Sequence, residues 1–282
     1  MSETHVDPMW VQVSYLVAAV LFILALKSMS SPRTARTGVL IGAIGAALAT
    51  GVLFFSGIKL ATLALIVGFL VVGSVLGLVA ARRVKMTAMP QLVALFNGVG
   101  GGAAALIAVV EYLVVDSDDL LFLIFTVATV IVGSIAFSGS IVTYLKLQEL
   151  MTTRPVVIPL GKWITILVAV ATVVGGVWLI VQPQEWLLWA LLGLSLVFGV
   201  LFVLPVGGAD VPIVISLLNA MTGLAVAASG YVLGNVLLLI AGTLVGASGT
   251  LLTNLMAKAM GRPLTSTLFG AFSGTTAAGA GS

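Results

Sequence analysis

The sequence has 282 residues, of which 61% are hydrophobic and only 7% are charged, and its formal net charge is +3. A soluble globular domain carries about 25% charged residues, so this composition excludes a water-soluble fold. Cysteine is absent and the single histidine, His5, lies in the polar N-terminal stretch, which excludes disulfides, a thiolate nucleophile and a histidine ligand within the apolar segments. The basic residues are dispersed singly in short loops, a pattern that does not favour nucleic-acid binding.

Apolar runs of about 20 residues recur along the chain, and each is long enough to cross roughly 30 Å of hydrocarbon as an α-helix. Proline, glycine and charged residues separate the runs. The apolar runs between these residues predict about nine spans, at 10–27, 38–56, 59–81, 90–113, 119–146, 162–181, 185–204, 211–233 and 235–258. The predicted fold class is therefore all-α, a polytopic transmembrane helix bundle, because an outer-membrane barrel would show short alternating segments instead.

The charged residues predict how this bundle is oriented. With nine crossings, all basic residues except Lys59 fall on the side of the C-terminus, namely Lys27, Arg33, Arg36, Arg82, Arg83, Lys85, Lys146, Arg154, Lys162, Lys258 and Arg262. Most acidic residues fall on the opposite side. Because loops rich in lysine and arginine stay in the cytoplasm, the N-terminus is predicted to be outside and the C-terminus cytoplasmic.

Small residues indicate where the helices approach one another. Glycines spaced four apart allow close backbone contact between membrane helices, and four such pairs occur: Gly38 with Gly42, Gly73 with Gly77, Gly98 with Gly102, and Gly242 with Gly246. The short connection Leu233-Gly234-Asn235 predicts that the last two helices form an antiparallel hairpin. The string 98–103 also matches the dinucleotide pattern G-x-G-x-x-A, but no strand precedes it, so helix packing explains it better.

Three uncharged polar residues lie in the interior of predicted helices. Counted from the cytoplasmic ends of their helices, Asn97, Ser140 and Asn219 all lie at a depth of roughly 9–12 Å. Such side chains at one depth on separate helices can line a single hydrated pocket and orient waters in it. They can equally form ordinary interhelical hydrogen bonds, which are common in membrane bundles. The residues alone leave both explanations open.

Ionisable residues near the helix ends also allow two interpretations each. Glu111 lies near the outer end of the fourth helix, either at the headgroup rim or at the outer mouth of a pathway. Asp210 interrupts the cytoplasmic positive charge where the eighth helix begins, and it can complement the helix N-terminus or contact a cytoplasmic partner. Lys258 and Arg262 can extend to anionic headgroups or bind that same partner.

The last stretch of the sequence differs from the rest in composition. Residues 263–282 end in Ser-Gly-Thr-Thr-Ala-Ala-Gly-Ala-Gly-Ser, which is small, uncharged and typical of a flexible linker. We expect a cytoplasmic domain to follow it, with a disordered terminus as the alternative.

Several motifs in order along the chain resemble one protein family. They are Met86-Thr-Ala-Met-Pro-Gln-Leu-Val-Ala-Leu-Phe-Asn97 with the glycines after it, Phe137-Ser-Gly-Ser140, Gly207-Gly-Ala-Asp-Val-Pro-Ile-Val-Ile-Ser-Leu-Leu-Asn219, Leu244-Val-Gly-Ala-Ser-Gly-Thr250 and Ala257-Lys-Ala-Met-Gly-Arg262. Together they resemble the beta subunit of proton-translocating NAD(P) transhydrogenase, over nearly the whole chain.

The resemblance implies that this chain is one part of a larger enzyme whose domains have different functions. Residues 1–262 would be the transmembrane proton-translocating domain, and 263–282 the linker toward an NADP(H)-binding domain that this sequence does not include. Hydride would pass from NADH to NADP+ in soluble domains, with NAD(H) bound on the side of an alpha-type subunit and no nucleotide or metal bound by this chain. The implied setting is a dimer of the complete enzyme in the bilayer of the bacterial cytoplasmic (inner) membrane.

The resemblance also implies roles for individual residues. Ser140 and Asn219 match positions along the family's proton pathway, and Asp210 and Arg262 match positions that face the NADP(H)-binding domain. Many relatives carry a histidine where this chain has Asn97, and that histidine handles the proton. Either waters suffice here, or a membrane helix of an alpha-type subunit supplies the titratable group. We prefer the partner helix, because histidine titrates near neutral pH.

Two other function classes are weighed against this one. A secondary transporter of a small solute or ion usually shows repeated halves with interrupted helices, and the sequence shows no convincing repeat. A purely structural assembly subunit would make the common depth of the three polar residues accidental. The residues that follow Ser282 discriminate best, since a soluble α/β nucleotide-binding domain there favours the transhydrogenase.

Overall fold

The structure is a computed structural model, and it describes residues 8–55, 59–115, 117, 119–156 and 158–261, without the side chain of residue 53. All regular secondary structure in these ranges is helical. The helices are α1 (Met9–Met29), α2 (Ala35–Leu53), α3 (Leu60–Arg83), α4 (Met89–Val114), α5 (Leu120–Leu147), α6 (Gly161–Val181), α7 (Glu185–Val203), α8 (Val211–Val232) and α9 (Val236–Ala259). Single 3-10 turns at Met86–Ala88 and Gly208–Asp210 precede α4 and α8.

The nine helices in the described part of the chain confirm the predicted spans. Every predicted end agrees with the structure to within three residues, and each helix is long and apolar enough to cross a membrane. Local chemistry explains several of the ends. Pro90 and Pro212 lie in the first turns of α4 and α8, where a missing N–H leaves no hydrogen bond unmade. Asn235 caps α9, because its side-chain oxygen accepts from the N–H of Leu238 at 3.1 Å.

The chain divides into two compact units, the first ending at Val84 and the second beginning at Lys85. In the first unit α1 and α2 form a hairpin. The helices meet at Gly38, where a Cβ atom would lie only 2.8 Å from the carbonyl oxygen of Ala25. Helix α3 has no buried residue. A Cβ atom on Gly73 or Gly77 of α3 would meet no atom of the described part of this unit within 4 Å, so the predicted packing contact is not made within the first unit.

Helix α5 is the centre of the second unit. It has the largest number of buried residues, and it packs against α4, α6, α7 and α8. Its apolar contacts with α4, α6 and α7 bury Val130, Leu179 and Leu188 completely. With 16 of its 28 residues buried, α5 is covered by protein over most of its length.

The register of α5 against its neighbours fixes the direction of the helices. Gly98 of α4 lies beside Ser140, while Ala105 lies beside Gly133, so α4 and α5 are antiparallel. At the two ends of the α5–α8 contact, Gly139 lies beside Leu218 and the rings of Phe125 and Tyr231 lie 4.3 Å apart. Helices α4 and α8 are therefore both antiparallel to α5 and run parallel to each other.

The last two helices form the predicted antiparallel hairpin. Gly234 has a φ of +61°, a left-handed conformation that glycine adopts without strain, and it reverses the chain between α8 and α9. A Cβ atom on Gly242 would lie 2.3 Å from the backbone nitrogen of Ala227. The two backbones are thus in direct contact, as the predicted small-residue packing requires.

Candidate functional site

The buried polar residues meet where α4 crosses α5. The side-chain nitrogen Nδ2 of Asn97 donates a hydrogen bond of 2.9 Å to Oγ of Ser140. Both residues are buried, with 9% and 1% of their surface exposed. The neighbouring Gly98 makes this approach possible, because a Cβ atom there would lie 3.1 Å from the Cβ of Ser140. Two of the three polar residues singled out in the sequence are therefore brought together.

A second hydroxyl group, that of Thr222 on α8, faces the same crossing. A Cβ atom on Gly101 would lie 3.2 Å from Thr222 Oγ1 and 3.0 Å from the carbonyl oxygen of Gly133. The absence of a side chain at residue 101 therefore lets three helices converge next to the hydroxyl. Thr222 is itself only 9% exposed. It was not predicted from the sequence, where threonine in an apolar helix carries no distinguishing signal.

Two buried oxygen atoms at this crossing have no hydrogen-bond partner in the structure. They are Oδ1 of Asn97 and Oγ1 of Thr222. A buried polar atom left without a partner costs about 1–3 kcal/mol, so such atoms are commonly satisfied by bound water. The carbonyl oxygen of Asn97 can accept two hydrogen bonds, and the hydroxyl of Thr222 can both donate and accept. The chemistry of the site therefore suits ordered water.

Asn219 lies at the level of this site on α8. Gly100 and Gly101 lie beside Thr222, and since α4 and α8 run parallel, the residues one turn earlier on each helix, Asn97 and Asn219, lie level with each other. Asn219 is half-buried and hydrogen bonds with neither of the other two predicted residues. The three residues thus share one level, but only Asn97 and Ser140 are joined directly.

The other residues singled out in the sequence lie away from this cluster. Glu111 is half-buried near the opposite end of α4, about 21 Å along the helix from Asn97. Asp210 directly precedes α8, and its carboxylate does not cap that helix. Lys258 is exposed in the last turn of α9, and Arg262 lies outside the described residues.

The glycine string at residues 98–103 lies wholly inside α4. A Cβ atom on Gly102 would lie 2.8 Å from the ring of Phe137, and Gly98 and Gly101 also pack against α5. These glycines therefore serve helix packing, and they leave no room for a phosphate group. Among the described residues, no group of three or more His, Asp or Glu side chains is arranged to hold a metal ion.

Lys146, which the charge pattern assigns to a loop, has a role that the sequence does not reveal. The structure places Lys146 inside the last turn of α5 with 1% of its surface exposed. Its Nζ donates to the backbone carbonyl oxygens of Val203, Leu204 and Val206 over distances of 2.5–3.1 Å. In the sequence, a lysine directly after an apolar run looks the same whether it turns to solvent or back into the protein.

Together, the apolar helices and the buried polar cluster define a multi-pass membrane protein with a polar site inside a helix bundle. The family model described as NAD(P) transhydrogenase beta subunit matches residues 11–282. A curated relative, the NAD(P) transhydrogenase subunit beta of Rhodospirillum rubrum, is 38% identical over 280 residues, which cover 94% of this chain and 60% of the relative. A second curated relative of the same name, from a specified strain of Rhodospirillum rubrum, has the same identity and coverage. The chain belongs to the NAD(P) transhydrogenase beta subunit family, and it spans less than two thirds of the length of these relatives.

Proposed function

We propose that this chain is the membrane part of a proton-translocating NAD(P) transhydrogenase. In this proposal, protons cross the membrane through the helix bundle, and their passage drives hydride transfer from NADH to NADP+ in soluble domains of the complete enzyme. The observation that carries the proposal is the buried cluster of Asn97, Ser140 and Thr222, which has two unpartnered oxygens deep in an apolar bundle. These oxygens support the proposal because they are free to bind water at the point where three helices meet.

The cluster would act on protons through water. None of its side chains changes charge near neutral pH, so none can hold the proton as it passes. Each can instead hold and orient a water molecule, and water-mediated hydrogen bonds are nearly as favourable as direct ones. Asn219, level with Asn97 on α8, would extend the hydrated region toward α8. The titratable group would come from a membrane helix of an alpha-type subunit, consistent with the neutral residue at position 97.

The soluble nucleotide-binding parts would contact the end of the bundle where α8 begins and α9 ends. Asp210 lies at the first of these points and Lys258 at the second, which supports both as contacts for the chain's own NADP(H)-binding domain. Arg262 is proposed to act with them. Residues 263–282 would link the bundle, residues 1–262, to that domain on the cytoplasmic side. The complete enzyme would work as a dimer in the bacterial inner membrane.

The decisive experiment reconstitutes the complete enzyme, with all its subunits, in proteoliposomes. Asn219→Leu should lower the rate of proton-coupled hydride transfer by about 10-fold or more, because an apolar side chain excludes water from the site. The matched control is Asn254→Leu, which makes the same change at an exposed position of α9 and should retain the wild-type rate. A wild-type rate in Asn219→Leu would remove this residue from the pathway.

The docking proposal is tested separately by Asp210→Lys. Reversing this charge should change the rate of NADP(H) release while the amount of assembled enzyme stays constant. The control is Glu149→Lys, an exposed charge reversal in the neighbouring loop. Unaltered NADP(H) kinetics in Asp210→Lys would exclude the residue from the interface.

A further inference from the structure

The buried ammonium group of Lys146 is fully hydrogen-bonded by backbone carbonyl oxygens. A lysine ammonium carries three N–H donors, and here each has its own acceptor, in Val203, Leu204 and Val206. An uncharged amine has only two N–H donors and a lone pair, which would face the third carbonyl oxygen. Three carbonyl acceptors around one side-chain nitrogen therefore suit the ammonium form, which donates to all of them.

The three acceptors lie where α7 ends. Val203 is the last residue of α7 and Leu204 is its C-cap, so their carbonyl oxygens have no partner within the helix. The C-terminus of a helix also carries a partial negative charge, which a cation stabilises. Lys146, a residue of α5, thus caps α7. Its third bond, to Val206, extends into the connection between α7 and α8.

The loop after α5 is hydrogen-bonded to the same connection. The N–H of Val156 donates to the carbonyl oxygen of Leu204 at 3.1 Å, and the N–H of Gly208 donates to that of Thr153 at 2.9 Å. The N–H of Asp210 in turn donates to the carbonyl oxygen of Gly207 at 2.9 Å. The segment from 203 to 210 is therefore held from one side by α5 and its following loop.

We infer that Lys146 is a positioning residue that fixes the segment 203–210, and with it Asp210, to the helix that carries Ser140. This inference rests on the proposed function, in which Ser140 belongs to the proton pathway and Asp210 to the NADP(H) interface. Because α5 carries the first residue and anchors the second, a shift of α5 at the polar cluster would be transmitted directly to the docking segment. A rigid helix shared by two sites is one physical route by which they can be coupled.

The test replaces Lys146 by methionine, which has a similar length but no donor, in the complete enzyme reconstituted in proteoliposomes. Loosening the segment should change the apparent KM for NADP(H) by about 5-fold or more and leave that for NADH unchanged. The ratio of proton-coupled to uncoupled hydride transfer should fall in parallel. Lys146→Arg, which keeps the charge, should give intermediate values. The control Lys162→Met removes an exposed lysine at the start of α6 and should change neither quantity.

A second variant keeps the inference testable if Lys146→Met does not assemble. Gly208→Pro removes the N–H that bonds to Thr153, and the proline ring occupies the space of that hydrogen bond. The site otherwise suits proline, because Gly208 opens a 3-10 turn and Gly207 before it is extended, with φ −79° and ψ 157°. This exposed change leaves the buried lysine in place, and it should shift the same KM.

The outcomes separate this inference from the proposed function. If the wild-type enzyme shows no proton-coupled hydride transfer, the proposed function fails. The inference is tested only against a wild-type enzyme that is coupled. If Gly208→Pro and assembled Lys146→Met then lower only the amount of enzyme, and change neither the KM for NADP(H) nor the coupling ratio, Lys146 is merely structural. That result would overturn the inference.

Discussion

Asn97 of α4 and Ser140 of α5 are joined side chain to side chain by a hydrogen bond of 2.9 Å, although 43 residues separate them in the chain. The bond lies where the glycines of α4 let the two helices meet most closely. The Nδ2 group of Asn97 is thereby oriented toward α5, and its Oδ1 atom is left for another donor. The pair therefore holds α4 against α5 and also leaves a polar oxygen atom available in the site.

This pairing predicts that the effects of the two side chains depend on each other. Ser140→Ala leaves Nδ2 of Asn97 without its acceptor, while Asn97→Leu removes the bond from the other side. In a double-mutant cycle, thermal unfolding in detergent should give a coupling energy of about 1 kcal/mol, as for other hydrogen bonds between membrane helices. The control Ser248→Ala, at an exposed position of α9, should be additive with Asn97→Leu. Strict additivity for the first pair would contradict the bond.

The unpartnered hydroxyl of Thr222 predicts a selective loss of coupled activity. Thr222→Val keeps the shape of the side chain but removes the oxygen, so it should lower proton-coupled hydride transfer about 10-fold and leave thermal stability nearly unchanged. Thr172→Val is the matched control. Thr172 is also buried, but its hydroxyl donates to the carbonyl oxygen of Val168 in its own helix. Equal activities in the two variants would show that Thr222 holds no functional water.

The glycines predict opposite outcomes for one and the same substitution. Gly242→Ala places a Cβ atom 2.3 Å from the backbone nitrogen of Ala227, so α8 and α9 must separate, and we expect a loss of about 1–3 kcal/mol of stability. Gly73→Ala meets no atom within 4 Å and should be neutral, or stabilising by up to about 1 kcal/mol through helix propensity. Thermal unfolding of the two variants in detergent measures the difference. A destabilised Gly73→Ala would instead reveal a partner packed against α3.

The helices were predictable from the sequence because each depends on local chemistry. A run of apolar residues of membrane length is bounded by proline, charge or a turn, and even the α8–α9 hairpin follows from the residues around Gly234.

The glycine spacing was less informative about contacts between helices. It predicted the contacts of Gly98 and Gly242 correctly, but Gly73 has the same spacing and no contact. Which face of a helix meets a neighbour depends on tertiary packing, which a spacing of four does not encode.

The site was predictable only in part for the same reason. Counting residues from the helix ends correctly placed Asn97 and Ser140 at one level, because helical rise is constant. It could not show that Thr222 completes the cluster, since that depends on which faces of α4 and α8 meet. Lys146 was missed because its side chain turns toward the end of α7, a carbonyl-rich partner that lies more than 50 residues away in the chain.

The orientation of the bundle in the membrane is the remaining prediction, and the absence of cysteine from this sequence makes it simple to test. The two substitutions Met86→Cys, before α4, and Pro183→Cys, between α6 and α7, introduce single exposed thiols that the charge distribution assigns to opposite sides. In intact cells producing the complete enzyme, a membrane-impermeant maleimide should label residue 183 at once and residue 86 only after the membrane is opened. The enzyme without either substitution gives the background from cysteines elsewhere in the assembly. If residue 86 were labelled first, the bundle would have the opposite orientation to the predicted one. Asp210 and Lys258 would then lie on the side away from NADP(H).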